Sequence, residues 1–110
     1  MASPDGTRFE TDVQRELTAA GLHAVKPRQT KQLDVGDIHL GTDIVVQAKN
    51  WANIASGLRE GTKGAQAQAR RAGRPFGVTV IKKRQGAIRD AYVAMPLHVF
   101  IALLTSRQSP

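Results

Sequence analysis

The 110-residue chain contains no cysteine, which excludes disulfides and zinc sites built from thiolates. Aromatic residues make up only 5% of the chain, so stacking on single-stranded bases is not expected to be its main binding mode. No apolar run approaches the roughly 20 residues of a membrane-spanning helix. The first ten residues, MASPDGTRFE, contain no apolar segment of signal-peptide type. We therefore predict a cytoplasmic protein with no membrane partner.

Acidic residues are scarce in the second part of the chain. Residues 1–43 hold five Lys/Arg and seven Asp/Glu, whereas residues 44–110 hold eleven Lys/Arg and only two Asp/Glu. The overall charge of +7 therefore divides into −2 and +9. A basic region beside a small acidic cluster is typical of proteins that bind a polyanion next to a metal site. The alternative is a basic domain whose charged surface is merely solvated.

A helix is predicted near the N-terminus, where Thr7 and Glu10 have the spacing of a capping box. Apolar residues then recur at helical spacing, and Gly21 is a typical helix end. Glu10 borders the apolar stripe, so it has either a capping role or a role at a site beside the stripe. The stripe consists of Phe9, Val13, Leu17 and Ala20.

The rest of the chain alternates between strand and helix patterns. Residues 22–28 are predicted to form an edge strand, because Pro27 suits an edge and not a central position. Residues 35–49 predict two strands joined by a tight turn, and residues 50–61 are ambiguous between a loop and a helical turn. The remaining predictions are a helix over 62–72, strands over 76–82 and 89–94, an apolar helix over 97–104 and a flexible tail over 105–110. The order α-β-β-β-α-β-β-α predicts a single α/β domain, residues 1–110, with a small mixed sheet flanked by helices.

Polar side chains meet where the two central strands lie side by side. Gln47 and Lys49 share one face of the second strand because strands have a period of two. Asp37 on the first strand can reach the same patch. A carboxylate, an amide oxygen and an amine at one place can bind a hard metal ion and a phosphate. Taken singly, Asp37 is also compatible with a turn, Gln47 with an exposed amide and Lys49 with a solvated lysine.

These residues resemble a known family. Asp37, followed ten residues later by Gln47-Ala48-Lys49, resembles the D-(X)n-(E/Q)-X-K signature of the PD-(D/E)XK nuclease superfamily. The segment GTRFETDVQRELTAAGL, residues 6–22, is similar to the first helix of archaeal-type Holliday junction resolvases, with its Gly, its Glu four residues later and its closing Gly-apolar pair. The later helix and the strand FGVTVIKK also fit. The resemblance covers about residues 6–104 and is nearest to the small resolvases encoded by phages.

The resemblance implies a restriction-endonuclease-like fold and a site for Mg²⁺, with Mn²⁺ as a substitute. Asp37 would bind the metal directly, and Glu10 directly or through water. Gln47 would contribute its side-chain oxygen, the backbone carbonyl of Ala48 would complete the shell, and Lys49 would orient or activate the attacking water. The chain departs from the pattern at Gln47, where most members have Glu, and before Asp37, where the motif's Pro is absent.

DNA contacts are predicted for the basic residues around this site and for a glutamine on the following helix, either Gln66 or Gln68. Trp51 is a candidate wedge between bases, although a core position would equally explain it. The histidines have no metal-ligand spacing, and only His39 shares the face of Asp37. The basic residues predicted to contact phosphates are Lys26, Arg28, Lys31, Arg59, Lys63, Arg70, Arg71, Lys82, Lys83 and Arg84.

Together these features predict a metal-dependent, structure-specific endonuclease that resolves four-way DNA junctions. Two symmetric cuts by a chain with one site require a two-fold homodimer. We expect part of residues 93–104 to form its interface, because this segment is more apolar than one small core requires. The alternatives are a nuclease of the same fold that acts on flaps or other DNA, and a nucleic-acid-binding protein without catalytic activity.

Overall fold

A five-stranded mixed sheet flanked by helices forms the centre of the domain, which confirms the predicted α/β class. The computed structural model describes residues 4–28, 34–51 and 53–108. The strands are β1 (Ala24–Val25), β2 (Ile38–Leu40), β3 (Ile44–Lys49), β4 (Phe76–Ile81) and β5 (Tyr92–Ala94). The helices are α1 (Pro4–Ala19), α2 (Ile54–Ser56), α3 (Thr62–Ala72) and α4 (Leu97–Ser106), with a π-helical turn (Gly57–Gly61) between α2 and α3 and a 3₁₀ turn (Ile88–Asp90) before β5.

The strands lie in the sheet in the order of the sequence, and only β3 and β4 are parallel. A tight turn joins the antiparallel strands β2 and β3, whereas the parallel pair needs the helical crossover formed by α2 and α3. The register sets Gln47 beside Thr79 and Lys49 beside Ile81. The carboxyl ends of the neighbouring strands β3 and β4 therefore lie side by side at the same end of the sheet.

The two faces of the sheet bury different helices. On one face, Val46 and Val80 belong to a hydrophobic cluster with Phe9 and Val13 of α1 and with Val99 of α4. On the other face, α3 packs against β3 and β4, and its Ala65 and Ala69 are buried there. The alternation along β3 explains how one short strand serves both layers, since all of its residues except Lys49 are buried.

Several predicted boundaries differ from the structure. The first helix begins at Pro4, so the prediction of a capping box with Thr7 as N-cap is wrong; proline suits the first helical turn because its missing N–H would be unpaired there anyway. The first strand is only two residues long. The segment that was ambiguous over 50–61 is helical from Ile54. The last helix includes Thr105 and Ser106 of the expected tail, and Arg107 forms an ion pair with Asp43 at 2.8 Å.

Within the parts of the chain that the structure describes, no helix has the length and apolar character needed to cross a membrane.

Candidate active site

Asp37 is presented by a backbone conformation that excludes the motif's proline. Gly36 has a φ of 98°, and a Cβ at this position would overlap Cγ1 of Val45. Proline is restricted to a φ of about −65°, so it cannot occupy position 36 in this fold. The Asp37 amide donates to the Val46 carbonyl at 3.2 Å, and its Oδ2 accepts from the Ala48 amide at 2.8 Å. The carboxylate is therefore held against β3 by a backbone hydrogen bond.

Glu10 and Asp37 form a carboxyl pair between α1 and β2. Both side chains are half-buried, and they lie close enough for each to affect the pKa of the other. Burial is the main cause that raises the pKa of Glu10, and the charge of Asp37 raises it further. The pKa of Asp37 is raised by burial and by Asp34, against the lowering effect of the Ala48 amide. Burial and the charge of Asp37 both disfavour the ionised form of Glu10, and a cation bound beside the pair would offset this cost.

Two lysines lie close enough to this pair to affect its charge. Lys49 lowers the pKa of both carboxyl groups, and Lys26 lowers that of Glu10. Lys26 donates from Nζ to Oγ1 of Thr11 at 2.9 Å, which holds it beside α1. The structure therefore brings Glu10, Asp37 and Lys49 together. It also adds Lys26, which the sequence had assigned only to DNA contacts.

Gln47 lies on the α3 side of the sheet and is only 2% exposed. Its Oε1 accepts from Oγ1 of Thr79 at 3.0 Å. An amide oxygen has two lone pairs, so this bond leaves one for a further donor or a metal. The predicted coordination by Gln47 thus stays a prediction, as does that by the carbonyl of Ala48, whose amide is the donor to Asp37.

The helical segment above Gln47 is shaped by glycine. A Cβ on Gly64 would lie 2.6 Å from Nε2 of Gln47, so only glycine lets α3 approach the amide this closely. This contact explains why a residue unfavourable in helices occupies the first turn of α3. The preceding π-helical turn lies over the same buried amide, since a Cβ on Gly61 would lie 3.3 Å from Oε1 of Gln47. Such turns are frequent at functional sites.

Asp34 is an acidic residue of the site that the sequence reasoning missed. Its Oδ1 accepts from the Gly36 amide at 3.1 Å and its Oδ2 from Gln68 at 2.8 Å. Its negative charge raises the pKa of Asp37. The signal was present in the spacing of two aspartates around a glycine turn, but it has no counterpart in the nuclease signature. Asp34 fixes the turn that presents Asp37, and it links this turn to α3.

The chemistry of the side chains at the site shows whether they suit a hard cation such as Mg²⁺. In the described ranges, no three His, Asp or Glu side chains are grouped as a metal site. The ligands available to Mg²⁺ are therefore two carboxyl groups together with neutral oxygens and water. This set fits Mg²⁺, which prefers oxygen ligands and retains several waters.

Most of the glutamine and histidine side chains considered for the site form hydrogen bonds within the protein. Gln66 donates from Nε2 to the Gly77 carbonyl at 2.7 Å, and Gln68 donates to Asp34. His39 Nε2 lies 2.8 Å from the Val35 carbonyl oxygen, whereas His98 is exposed.

The predicted basic contacts are solvent-exposed wherever the structure describes them. Arg71 also donates to the Asp34 carbonyl at 3.3 Å. Lys31 lies outside the described residues. The exposed basic residues are Lys26, Arg28, Arg59, Lys63, Arg70, Arg71, Lys82, Lys83 and Arg84.

No family model, curated protein or solved structure matches this chain. The case for its function therefore depends on the geometry of the site.

Proposed function

We propose that this protein is a metal-dependent endonuclease with a restriction-endonuclease-like fold that hydrolyses phosphodiester bonds in branched DNA. The observation that carries the proposal is the Glu10–Asp37 carboxyl pair beside Lys49. Helix α1 supplies Glu10 and β3 supplies Lys49, whereas Asp37 lies in the bend just before β2 and not on the strand where it was predicted. Two acids and a lysine at one place are suited to hydrolysis of a phosphodiester, because they can hold a cation and neutralise a phosphate.

In this proposal each residue has a separate task. Asp37 and Glu10 would hold Mg²⁺, and the side-chain oxygen of Gln47 and the carbonyl of Ala48 would supply additional, neutral ligands. Bound Mg²⁺ would activate water and stabilise the charge that develops on the scissile phosphate. Lys49 orients the attacking water and offsets the phosphate charge. Because the carboxyl pair is half-buried, it is less screened by water than a fully exposed pair, which strengthens these electrostatic interactions.

The exposed basic residues support a nucleic acid as the substrate. One of them, Lys26, lies close enough to lower the pKa of Glu10, and Lys82 directly follows β4. Contacts of this type are made to phosphates and do not read sequence. Affinity for DNA should therefore fall steeply as the salt concentration rises.

A homodimer is part of the proposal because four-way junctions need two cuts. An apolar stripe on α4 is exposed in the single chain, and Val93 on the neighbouring β5 is 60% exposed. Helix α4 turns Val99 and Leu103 toward the core, so the stripe lies on the opposite side. Exposed patches of this kind mark protein–protein contacts. The stripe consists of Leu97, Phe100, Ile101 and Leu104.

Replacing Ile101 with glutamate is expected to convert the dimer into a monomer of 11.9 kDa. A buried, unpaired charge at the centre of the stripe is too costly for the interface to tolerate. Multi-angle light scattering measures the mass. Ala102→Glu is the matched control, because Ala102 is the next residue on α4 and is exposed outside the stripe. A wild-type monomer, or an Ile101→Glu dimer, would contradict the proposed interface.

One observation favours a second candidate, a DNA-binding protein that does not cut. Most members of the nuclease superfamily that the sequence resembles have an acid at the position of Gln47, and here the amide oxygen is buried and bonded to Thr79. A neutral ligand lowers the charge of the site and hence its affinity for a metal. In this candidate the basic surface binds DNA, and the carboxyl pair binds no metal and takes no part in a reaction.

A cleavage panel separates these candidates. Four-way, flap, nicked and linear DNA are each incubated with the protein in Mg²⁺ and in EDTA, and the products are resolved on denaturing gels. The proposal predicts paired, symmetric cuts in the four-way junction with Mg²⁺ and none in EDTA. Cuts confined to flaps would assign another substrate to the same chemistry. Tight junction binding without cuts in Mg²⁺ or Mn²⁺ would establish the second candidate.

A further inference from the structure

A cavity of about 530 Å³ opens at the carboxyl ends of the parallel strands β3 and β4. Asn50 and Trp51 enter it directly after β3, and Lys82 directly after β4. In open α/β sheets, ligands bind outside the carboxyl ends of the strands. The volume lies in the range of pockets that hold small organic ligands. Its full lining is Asn50, Trp51, Asn53, Ile54, Lys82, Arg84 and Gln85.

The side chains that line the cavity suit a ligand with a flat ring and a negatively charged group. It contains three amide side chains, two cations, one indole and no acid. Within the described ranges, the side chains of Lys82, Arg84 and Gln85 form no hydrogen bond or ion pair with the rest of the protein. Amides recognise the edge of a nucleobase, an indole stacks on its face, and cations hold a phosphate. A nucleotide has all three of these features.

The backbone of the cavity carries a strained residue. Gln85 has a φ of 58°, the only positive value among the non-glycine residues that the structure describes. A residue other than glycine, asparagine or aspartate rarely adopts this conformation, and such strain is concentrated at ligand-binding sites. The strained turn places Arg84 and Gln85 on the cavity wall.

Lys49 connects this cavity with the carboxyl pair. Its ammonium lies 5.7 Å from the centroid of the Trp51 ring, and its charge acts on both Glu10 and Asp37. Lys49 therefore adjoins the cavity at Trp51 and also acts electrostatically on the carboxyl pair.

We propose that the cavity receives one unpaired nucleotide of the DNA substrate, with its base against Trp51 and its phosphate held by Lys82 and Arg84. This inference rests on the proposed nuclease function and adds the means by which branched DNA is selected. Removing a nucleotide from a stacked duplex costs energy, and the cost is least where the base is already unpaired. A continuous duplex meets this cost in full, whereas the base pairs at the centre of a branched DNA lack a continuous stacking neighbour, so a nucleotide there leaves its pair at a lower cost.

Trp51 is the only tryptophan in the chain, so its fluorescence reports directly on the cavity. Titration with dAMP is expected to quench the emission, because the base stacks on the indole. Inorganic phosphate should leave the emission unchanged but compete with dAMP. A hairpin with a single-nucleotide bulge should bind more tightly than the same hairpin without the bulge and should quench Trp51 more strongly.

Arg84→Gln tests the phosphate contact. Loss of one charge-assisted contact should weaken dAMP binding by about tenfold. Arg15→Gln removes the same charge from the exposed surface of α1 and should titrate like the wild type. Lys82→Gln is a second, independent variant with the same expected direction. Circular dichroism checks that all three variants are folded.

Three results would overturn the inference: emission that dAMP leaves unchanged, equal dAMP affinities for Arg84→Gln and Arg15→Gln, or equal quenching by paired and bulged hairpins. Quenching by dAMP without any preference for the bulge would assign the cavity to a free nucleotide instead. These measurements need no cleavage. If the protein cuts junctions but gives one of these three results, the nuclease proposal stands and only the inference about the cavity is wrong.

Discussion

Lys49→Ala is expected to lower the rate of junction cleavage by about a hundredfold or more while junction binding is retained. Removal of a single group that stabilises the transition state typically has an effect of this size. Lys49 is the residue that faces both the carboxyl pair and the Trp51 ring. Binding depends on many other exposed cations, so the loss of one should change it little. Single-turnover rates at saturating enzyme separate the two effects.

The pH dependence of the residual activity provides a second readout. Lys49 lowers the pKa of Glu10 and of Asp37, so both values should rise when its charge is removed. The acid limb of the pH–rate profile should then move to higher pH in Lys49→Ala. A structural defect would reduce the rate at all pH values without moving this limb. Arg15→Ala, which removes an exposed charge from α1, should keep both the rate and the profile of the wild type.

A Lys49→Ala variant that cuts at the wild-type rate would show that the site is misplaced. The proposal places no other cation at the attacking water. Lys26 adjoins Glu10 but is held by Thr11, so it is not positioned to replace Lys49.

The layout of the fold could be predicted because it depends on local patterns. Alternation along β3 and helical spacing along α1 place the apolar residues on the faces that are buried, and these patterns extend over many residues. Boundaries depended on single interactions. The helix α1 begins at Pro4 and not at Thr7, because proline in the first turn replaces the capping box that the local sequence also permits.

The site could be predicted only in part, because several of its contacts join segments that are distant in the sequence. The pairing of Asp37 with Glu10 depends on where α1 crosses the sheet, which helical periodicity does not determine. The hydrogen bond from Thr79 to Gln47 follows from the register of the parallel strands, which are joined through a long crossover. No local signal in residues 44–49 reveals that partner. The same holds for Asp34, whose contact with Gln68 spans two elements.

The structure explains why the chain departs from the nuclease signature at Gly36 and Gln47. Gly36 stands where the motif has proline because the chain turns there with a positive φ beneath Val45. Gln47 lies beneath Gly64 and beside Thr79, in a space with almost no access to water. A carboxylate in that space would pay a desolvation cost that the neutral amide avoids. The amide therefore suits the packing of α3, whatever its role toward a metal.

Asp37→Asn is expected to abolish cleavage and, at the same time, to raise the melting temperature of the metal-free protein at neutral pH by a few degrees. The loss of activity follows from the loss of an anionic metal ligand. The gain in stability follows from the environment of Asp37, where burial and the nearby Asp34 disfavour a negative charge. Asparagine keeps an oxygen that can accept from the Ala48 amide, so the backbone contact survives. Sites of this kind exchange stability for activity.

The sign of the pH dependence follows from the raised pKa. Since the folded protein binds the proton of Asp37 more tightly than the unfolded chain does, the free energy of unfolding of the wild type falls as the pH rises above the ordinary value of 3.8. This loss is complete once the pH exceeds the raised pKa. Asparagine does not titrate, so the advantage of Asp37→Asn should be largest above that pKa and should vanish well below the ordinary value of 3.8, where the carboxyl is protonated in both states.

Melting curves in EDTA across this pH range test the prediction. A second set of melting curves is measured with added Mg²⁺. Added Mg²⁺ should raise the melting temperature of the wild type, because a cation that binds only the folded state stabilises it, but it should not raise that of Asp37→Asn. Asp90→Asn removes an exposed carboxylate and should follow the wild type in both arms. A variant that is destabilised at neutral pH would mean that Asp37 is an ordinary structural carboxylate, stabilised by the Ala48 amide more than it is destabilised by burial and Asp34. In that case the carboxyl pair would no longer support a cation site.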